Sequence, residues 1–141
     1  MGSLTTRTLE QPSASELARR SAAWSQPVGT GAALTVAVPS DDAVVLGAFQ
    51  RAGDAADAGL PVLRRGSGGG AARVGPGTVW VQLSLERPGA LVACTADKLL
   101  NRYVRPLLAA LTRSLQVPAS YFGRDWVSAS SRPVALVGFA H

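Results

Sequence analysis

A basic, glycine-rich segment lies near the middle of this chain and reads LRRGSGGGAARVGPG over residues 63–77. Two adjacent arginines and a serine precede three successive glycines, so guanidinium groups stand beside backbone that a ligand can approach closely. Backbone N–H groups exposed in one direction by such a turn favour an anion. The composition also fits a flexible Gly/Ser linker. Apolar runs adjoin both ends, however, and they place the glycines at a turn between two strands of one folded domain.

The segments on either side of this turn predict a domain of both helices and strands. Apolar runs predict strands over residues 33–38, 43–49, 60–63, 78–85 and 133–140. A helix is predicted over residues 16–24, with Ser13 or Ser15 as its N-cap. An apolar stripe at helical spacing covers residues 96–115, where Pro106 should kink the helix or begin a second segment. We therefore predict an α/β domain in which helices back a sheet.

The chain of 141 residues is long enough for one domain with a real core, and no linker divides it. Residues 1–15 are rich in small polar residues and predict a flexible lead-in, and residues 16–141 form the predicted domain. No apolar run is long enough to cross a bilayer, and no leader opens the sequence. We expect a soluble, cytoplasmic protein that does not associate with membranes.

The charge of the chain is basic, with a net value of +5 at pH 7. Arginine supplies almost all of the positive charge, since Lys98 is the only lysine. The planar guanidinium suits phosphate and carboxylate, which favours an anionic ligand or an acidic protein partner. Nucleic-acid binding is a weaker alternative, because the arginines are scattered and no nucleic-acid motif is present.

Few other side chains predict chemistry. Cys94 is the only cysteine and His141 the only histidine, so neither a disulfide within the chain nor a zinc site is predicted. Cys94 lies beside an apolar run and is interpreted as a buried structural thiol. Asp54 and Asp57 have no basic or nucleophilic neighbour in sequence, and we interpret them as part of a solvated loop or short helix.

Residues 64–71, RRGSGGGA, resemble the RRxSGGGA element of the biotin/lipoate protein ligase superfamily, in its lipoate–protein ligase branch. Upstream, VVLGAFQR at residues 44–51 resembles the strand and turn that read VVIGRFQN in that family. Downstream, the GPG of residues 75–77 resembles the GPG of the octanoyltransferase branch. The resemblance extends from Glu16 to the last residue. It implies a biotin/lipoate ligase-like fold of the α+β type, with a mixed, largely antiparallel sheet backed by helices.

Ligases of this family activate a fatty acyl cofactor with ATP and pass the acyl group from its adenylate to a lysine of a carrier domain. The resemblance implies ATP with Mg, and lipoate or octanoate, as ligands, and a lipoyl carrier domain as partner. The ligand-binding residues that it implies are Arg64, Arg65, Ser67, Gly68, Gly69, Gly70, Ala71, Ala72, Arg73, Asp125 and Gly138. Asp125 belongs to GRDW at residues 123–126, the counterpart of a GRND-type element, for which a purely structural turn is an equal interpretation.

The chain departs from the family pattern at the catalytic lysine. The family's KxxGxA element corresponds to ALVGFA at residues 135–140, so Ala135 replaces the lysine and Gly138 matches the glycine. A lysine ammonium stabilises charge on both carboxylate and phosphate oxygens, which alanine cannot do. Val74 stands near the position of a family histidine. We therefore assign no catalytic residue, and whether the chain is an enzyme stays open.

Family catalytic domains continue beyond the glycine that matches Gly138. The resemblance therefore implies the N-terminal part of a catalytic domain, incomplete at its C-terminus and completed by a further segment or a partner subunit. The leading hypothesis is a lipoate–protein ligase-like domain that binds a lipoyl or octanoyl group, or its adenylate, for transfer to a carrier lysine. The alternative is a non-catalytic homologue that binds ligand or a protein partner.

Overall fold

The computed structural model describes residues 3–23, 31–53, 55, 59–123 and 125–140. Nine strands and two α-helices lie within these residues. In chain order they are β1 (Leu4–Leu9), α1 (Ala14–Ala22), β2 (Ala32–Ala37), β3 (Ala43–Leu46), β4 (Val62–Arg64), β5 (Ala72–Val74), β6 (Trp80–Leu85), α2 (Leu99–Leu115), β7 (Ala119–Tyr121), β8 (Trp126–Ala129) and β9 (Arg132–Leu136). A 3₁₀ helix at Ala96–Lys98 leads into α2.

The described strands form three sheets of three strands each, in the orders β1-β2-β6, β4-β3-β5 and β7-β8-β9. The pairs β1–β2 and β3–β4 are parallel, and the other pairs are antiparallel. The predicted fold class, a mixed and largely antiparallel α+β arrangement, is thus confirmed. The strands divide among three small sheets where one was expected.

Strand β3 is the centre of the core. All four of its residues are buried, because the alternating side chains pack into a different apolar cluster on each face. Ala43 and Val45 pack with Ala14 and Val74 on one face. Val44 and Leu46 pack with Ala55 on the other. This strand fixes the position of β4 and β5, and hence of the turn between them.

Helix α1 begins at Ala14, slightly before the predicted start at residue 16, and Ser13 is its N-cap. The Ser13 hydroxyl accepts a hydrogen bond from the Glu16 N–H at 3.1 Å, which satisfies one of the free donors of the first turn. Leu17 and Ala18 are buried, and the helix contacts β4. The predicted continuation to Trp24 lies outside the described residues.

The start of the chain differs from the prediction. Residues Leu4–Leu9, expected to belong to a flexible lead-in, form β1 and pair in parallel with all of β2. The side chains of β1 are mostly exposed, so its stability comes from the backbone ladder, which leaves little apolar pattern to recognise in the sequence.

Two predicted strands end well before their predicted last residue, and three further strands were missed. The strand at 43–49 ends at Leu46, because residues 47–50 form a turn closed by the Gln50 N–H and the Gly47 carbonyl at 3.1 Å. The strand at 133–140 corresponds to β9, which ends at Leu136, where the pairing with β8 also ends. Strands β5, β7 and β8 are three or four residues long, too short for a clear alternation.

Helix α2 runs without interruption from Leu99 to Leu115 and contains Pro106. A second segment beginning at the proline, one of the two predicted outcomes, is therefore wrong. None of the described helices is long and apolar enough to cross a membrane.

Candidate functional site

The glycine loop, defined as residues 65–71, connects β4 to β5 and lies at the carboxyl ends of β3 and β4. The expected strand-to-strand turn is therefore confirmed. The Arg65 N–H donates to the Leu46 carbonyl at 3.0 Å, and the Ala48 N–H donates to the Ser67 carbonyl at 2.9 Å. These two bonds hold the start of the loop against the end of β3.

The Arg65 guanidinium lies inside the loop and organises it. Its Nε donates to the Ser67 hydroxyl at 3.1 Å, and Nη1 donates to the Val45 carbonyl at 3.2 Å. Its Nη2 donates to the carbonyls of Gly68 and Gly70, both at 2.8 Å. Burial lowers the pKa of Arg65 from its usual value, and the nearby Asp125 carboxylate opposes that change. The side chain nevertheless stays cationic at neutral pH.

The neighbouring Arg64 points the other way and holds the turn after β3. Its Nη1 lies 2.9, 3.0 and 2.6 Å from the carbonyl oxygens of Gly47, Ala48 and Gln50. Both arginines are thus engaged by the protein's own backbone. Direct contact of either one with a ligand stays a prediction.

Two glycines outside the loop allow it to be enclosed by backbone on both sides. A Cβ on Gly47 would collide with the Gly69 carbonyl oxygen, and a Cβ on Gly138 would collide with the Gly68 carbonyl oxygen. The Gly68 N–H also donates to the Phe139 carbonyl at 3.1 Å. Close approach of this kind requires a residue without a side chain. The structure thus brings the predicted site residue Gly138 into contact with the glycine loop.

Asp125 joins the site from the segment that precedes β8. A Cβ built on Gly70 would lie 3.6 Å from its Oδ2, an ordinary van der Waals distance. The Asp125 carbonyl accepts a hydrogen bond from the Val137 N–H at 2.7 Å, which ties this segment to the chain that passes over the loop. Burial raises the pKa of Tyr121, and the Asp125 carboxylate contributes to that increase. Asp125 therefore influences both Arg65 and Tyr121 electrostatically.

The remaining predicted residues lie around this centre. Ala71 is exposed at the end of the loop, and Ala72 and Arg73 belong to β5. The Arg73 guanidinium is exposed and lies 3.5 Å from the Asp42 carboxylate. Ala135 is half-buried in β9, which pairs with β8.

Several other predictions concern residues outside the site. Cys94, expected to be buried, is only half-buried, because it lies in the irregular connection after β6 and not in a packed strand. Four residues that the sequence singled out lie outside the described ranges, namely Asp54, Asp57, Arg124 and His141. Within the described residues, no three side chains of the metal-binding types His, Cys, Asp and Glu form a group that could hold a metal ion.

Sequence reasoning missed two side chains that shape the site. The Ser21 hydroxyl of α1 accepts a hydrogen bond from the Gly66 N–H at 3.3 Å, and the Gln50 side-chain oxygen accepts one from the Gly47 N–H at 2.9 Å. Gln50 directly follows the GAF sequence of the turn, so the sequence placed it next to the turn but did not predict that its side chain bonds the Gly47 N–H. Ser21 lies 45 residues before its partner, and no local pattern links the two.

Comparison of this architecture with solved structures finds lipoate protein ligases. Protein Ta0514 of Thermoplasma acidophilum, assigned as a lipoate protein ligase and solved with bound lipoic acid, aligns with a TM-score of 0.69 and 18% identity over 99% of this chain. The chain has the biotin/lipoate ligase-like catalytic-domain fold. Lipoate-protein ligase A bound with ATP aligns over the same share of this ligase-like domain, with a TM-score of 0.68 and 16% identity.

A third match comes from an archaeal lipoylation system of T. acidophilum, a bipartite lipoate protein ligase and its E2 lipoyl domain. It aligns with a TM-score of 0.61 and 20% identity over 92% of this chain and 51% of its own. The ligase-like domain spans 63% of the Ta0514 chain and 61% of the ligase A chain. No protein-family model matches the sequence, and a search of curated proteins gave no match.

Proposed function

We propose that this domain binds a lipoyl or octanoyl group, or its adenylate, at the glycine loop, for transfer to a lysine of a carrier protein. One observation carries the proposal: a cationic guanidinium is fixed at the centre of a loop in which the N–H groups of Gly69 and Gly70 make no hydrogen bond to the described residues. The positive charge and the backbone donors then act together on an anionic group of the ligand.

The donors that would contact the anion are backbone N–H groups. The N–H groups of Gly69 and Gly70 donate no hydrogen bond to the described residues, whereas the Gly68 N–H donates to the Phe139 carbonyl. Arg65 holds the carbonyls of Gly68 and Gly70 on its own side. This arrangement supports a cradle in which the arginine sets the loop conformation and the glycine backbone meets the ligand.

The solved neighbours support the class of ligand. Ta0514 carries lipoic acid and ligase A carries ATP, on the same fold. Their identity to this chain is low, so the ligand is proposed here on the geometry of the glycine loop as well as on the fold.

Magnesium would accompany ATP chemistry. Mg²⁺ is commonly held by one or two carboxylates together with the phosphates of the substrate. Asp125 is the carboxylate beside the loop and fits that requirement, with its Oδ2 within 3.6 Å of the position of a Cβ on Gly70. Bound magnesium would neutralise phosphate charge, and Asp125 would fix its position.

A non-catalytic homologue is the second candidate, and the position of Ala135 favours it. Ala135 lies in the β8–β9 pair and has no charged group to offer. The lysine of this chain, Lys98, ends the 3₁₀ helix before α2 and lines a different cavity. Such a domain would bind an acyl ligand or a protein without activating the carboxylate itself.

Partners follow from the same comparison. We propose a lipoyl carrier domain as acceptor and a completing segment or subunit as neighbour, because the matching T. acidophilum ligase is bipartite and has an E2 lipoyl domain as its partner. Strand β9 pairs with β8 only, among the described strands, so its other edge has unpaired backbone that a completing strand could cover. A cytoplasmic location belongs to the same proposal.

A paired-variant titration tests ligand binding at the loop. Isothermal titration would use a non-hydrolysable lipoyl-adenylate analogue with the wild type, Gly70→Ala and Gly53→Ala. The methyl of Gly70→Ala fills the space between the loop and Asp125 at an ordinary contact distance, while that of Gly53→Ala meets nothing within 4 Å. We expect at least tenfold weaker binding for Gly70→Ala and less than a twofold change for Gly53→Ala. No binding by the folded wild type, or equal losses in both variants, would contradict the proposal.

The two candidates are separated by restoring the lysine. Exchange of pyrophosphate into ATP, dependent on lipoate, would be measured for the wild type and Ala135→Lys. Exchange by the wild type supports the ligase and excludes the non-catalytic candidate. Exchange only by Ala135→Lys supports a domain that kept the site and lost its catalytic group.

A further inference from the structure

A basic cleft lies apart from the glycine loop. It has a volume of about 670 Å³ and is formed by the connection after β6, the 3₁₀ helix and the first turn of α2. We define the basic cleft by Arg87, Cys94, Thr95, Lys98 and Arg102, which line it. No residue of the glycine loop is among its lining residues, so the cleft is independent of the proposed acyl site.

The charged residues that line this cleft are all basic. Arg87, Lys98 and Arg102 all line it, and no Asp or Glu among the described residues does so. Lys98 and Arg102 are four residues apart across the start of α2 and therefore project from the same side of the helix. In the part of the chain that the structure describes, none of these three cations lies within 4.0 Å of a carboxylate.

The acidic residues nearest in sequence are placed elsewhere. The Glu86 carboxylate accepts a hydrogen bond from the Gly31 N–H at 2.9 Å, on the β2 side of the first sheet. Asp97 is exposed and does not line the cleft. Among the described residues, no carboxylate therefore lines the cleft or forms an ion pair with its three cations.

The walls of the cleft are held in place by polar contacts. The Tyr103 hydroxyl donates to the Pro88 carbonyl at 2.9 Å, and the Cys94 thiol donates to the same carbonyl at 3.0 Å. The Leu91 N–H donates to the Tyr103 hydroxyl at 3.4 Å. These bonds tie the connection after β6 to α2, so the segments that carry the three cations are held in place relative to each other.

We propose that the basic cleft binds a small molecule that carries several phosphate groups. Three cations that line one cleft favour a polyvalent anion, and guanidinium forks match phosphate oxygens. The Thr95 hydroxyl makes no capping hydrogen bond and can donate to such a group. A volume of this size is typical of small-molecule sites, whereas a polymer would need a longer basic track.

The test uses inorganic tripolyphosphate as probe, together with two charge-matched variants. Lys98→Gln with Arg102→Gln removes two cations from the cleft, and Arg105→Gln with Arg113→Gln removes two exposed cations of α2 that do not line it. Isothermal titration should show one saturable site in the wild type. We expect at least tenfold weaker binding in the cleft variant and less than a twofold change in the control variant.

Cys94 provides a local readout, because it is the only cysteine of the chain and lines the cleft. Tripolyphosphate should slow its alkylation by iodoacetamide in the wild type and in the control variant, but not in the cleft variant. Equal weakening of binding in both variants, or binding without protection of Cys94, would overturn the proposal.

Two further probes distinguish the source of the anion. Hexaglutamate represents an acidic protein segment, and a single-stranded oligonucleotide represents a nucleic acid. If either binds more tightly than tripolyphosphate and loses that binding in the cleft variant, the cleft is a macromolecular contact and the small-molecule assignment is wrong.

Discussion

Two groups of cations differ in what they contact. One is the pair of arginines where β4 meets the glycine loop, and the other is the three cations of the basic cleft. Arg64 and Arg65 direct their N–H groups to backbone carbonyls and a serine hydroxyl. Arg87, Lys98 and Arg102 carry no ion pair to the described carboxylates. The segment with the stronger sequence signal thus uses its charge to hold structure, while the less conspicuous one leaves its charge available.

The difference shows that an arginine in a binding motif can contribute by fixing the backbone conformation of the site, without contacting the ligand itself. Holding Arg65 inside the loop positions the glycine N–H groups, and these then become the proposed contact with the ligand. Replacing a cation should therefore have different effects in the two regions, lowering stability at the loop and weakening ligand binding at the cleft.

The largest expected effect is on stability when Arg65 is replaced. Arg65→Met keeps the aliphatic stem but leaves the carbonyls of Val45, Gly68 and Gly70 without their donor. We expect the free energy of unfolding to fall by about 3 kcal/mol, measured by urea denaturation. Arg73→Met is the control, since its side chain is 70% exposed and should cost less than about 0.5 kcal/mol. Equal costs for the two variants would contradict the structural role of Arg65.

A somewhat smaller loss of stability is expected when an added methyl group separates the loop from residue 138. Gly138→Ala places a methyl against the Gly68 carbonyl, whereas Gly53→Ala adds a methyl in open space. Overpacking against backbone should lower the free energy of unfolding by about 2 kcal/mol, and the control should change it by less than about 0.5 kcal/mol. Thermal unfolding of both variants measures the difference. A stable Gly138→Ala protein would mean that the loop and residues 137–139 are farther apart than described.

The electrostatic link between Asp125 and Tyr121 predicts a change in titration. The raised pKa of Tyr121 means that the neutral phenol stabilises the folded state below the ordinary tyrosine pKa, and that this contribution is lost as pH rises through the folded pKa. Asp125→Asn should lower the pKa of Tyr121 only in part, because burial is the larger cause. An NMR titration of the Tyr121 ring measures it, with Asp97→Asn as control. An unchanged Tyr121 pKa in Asp125→Asn would show that the Asp125 carboxylate does not act on Tyr121 electrostatically.

The smallest expected effect is on the stability of the cleft variant. Lys98 and Arg102 are exposed and unpaired with the described carboxylates, so Lys98→Gln with Arg102→Gln should change the free energy of unfolding by less than about 0.5 kcal/mol. Urea denaturation beside Arg65→Met gives the comparison directly. A loss as large as that of Arg65→Met would show that the cleft cations, too, serve structure.

Much of this fold could be predicted from local pattern. The apolar run of β3, the Ser13 cap and the glycine turn follow from alternation, capping and turn chemistry, although β3 ends at Leu46 and not at residue 49. Strand β1 could not be predicted, because its side chains are mostly exposed and its partner β2 supplies the backbone hydrogen bonds.

The site was less predictable than the fold. The motif identified the glycine loop, yet the partners of its arginines are carbonyls 14 to 20 residues away along the chain, or within the loop itself. The contact between Gly138 and Gly68 joins distant segments of the chain, which no spacing rule connects. The basic cleft could not be predicted either, because its three cations are scattered through a part of the sequence that carries no motif.

The most direct test of this account is a ¹H–¹⁵N NMR titration of the folded chain with the lipoyl-adenylate analogue, which observes backbone amides and arginine Nε–H groups together. We predict that the amide signals of Gly69 and Gly70 shift on binding, while the Arg65 Nε–H signal stays that of a group hydrogen-bonded to Ser67. Unchanged glycine amides, with a displaced Arg65 signal, would contradict it, because the arginine would then leave the loop to bind the ligand itself.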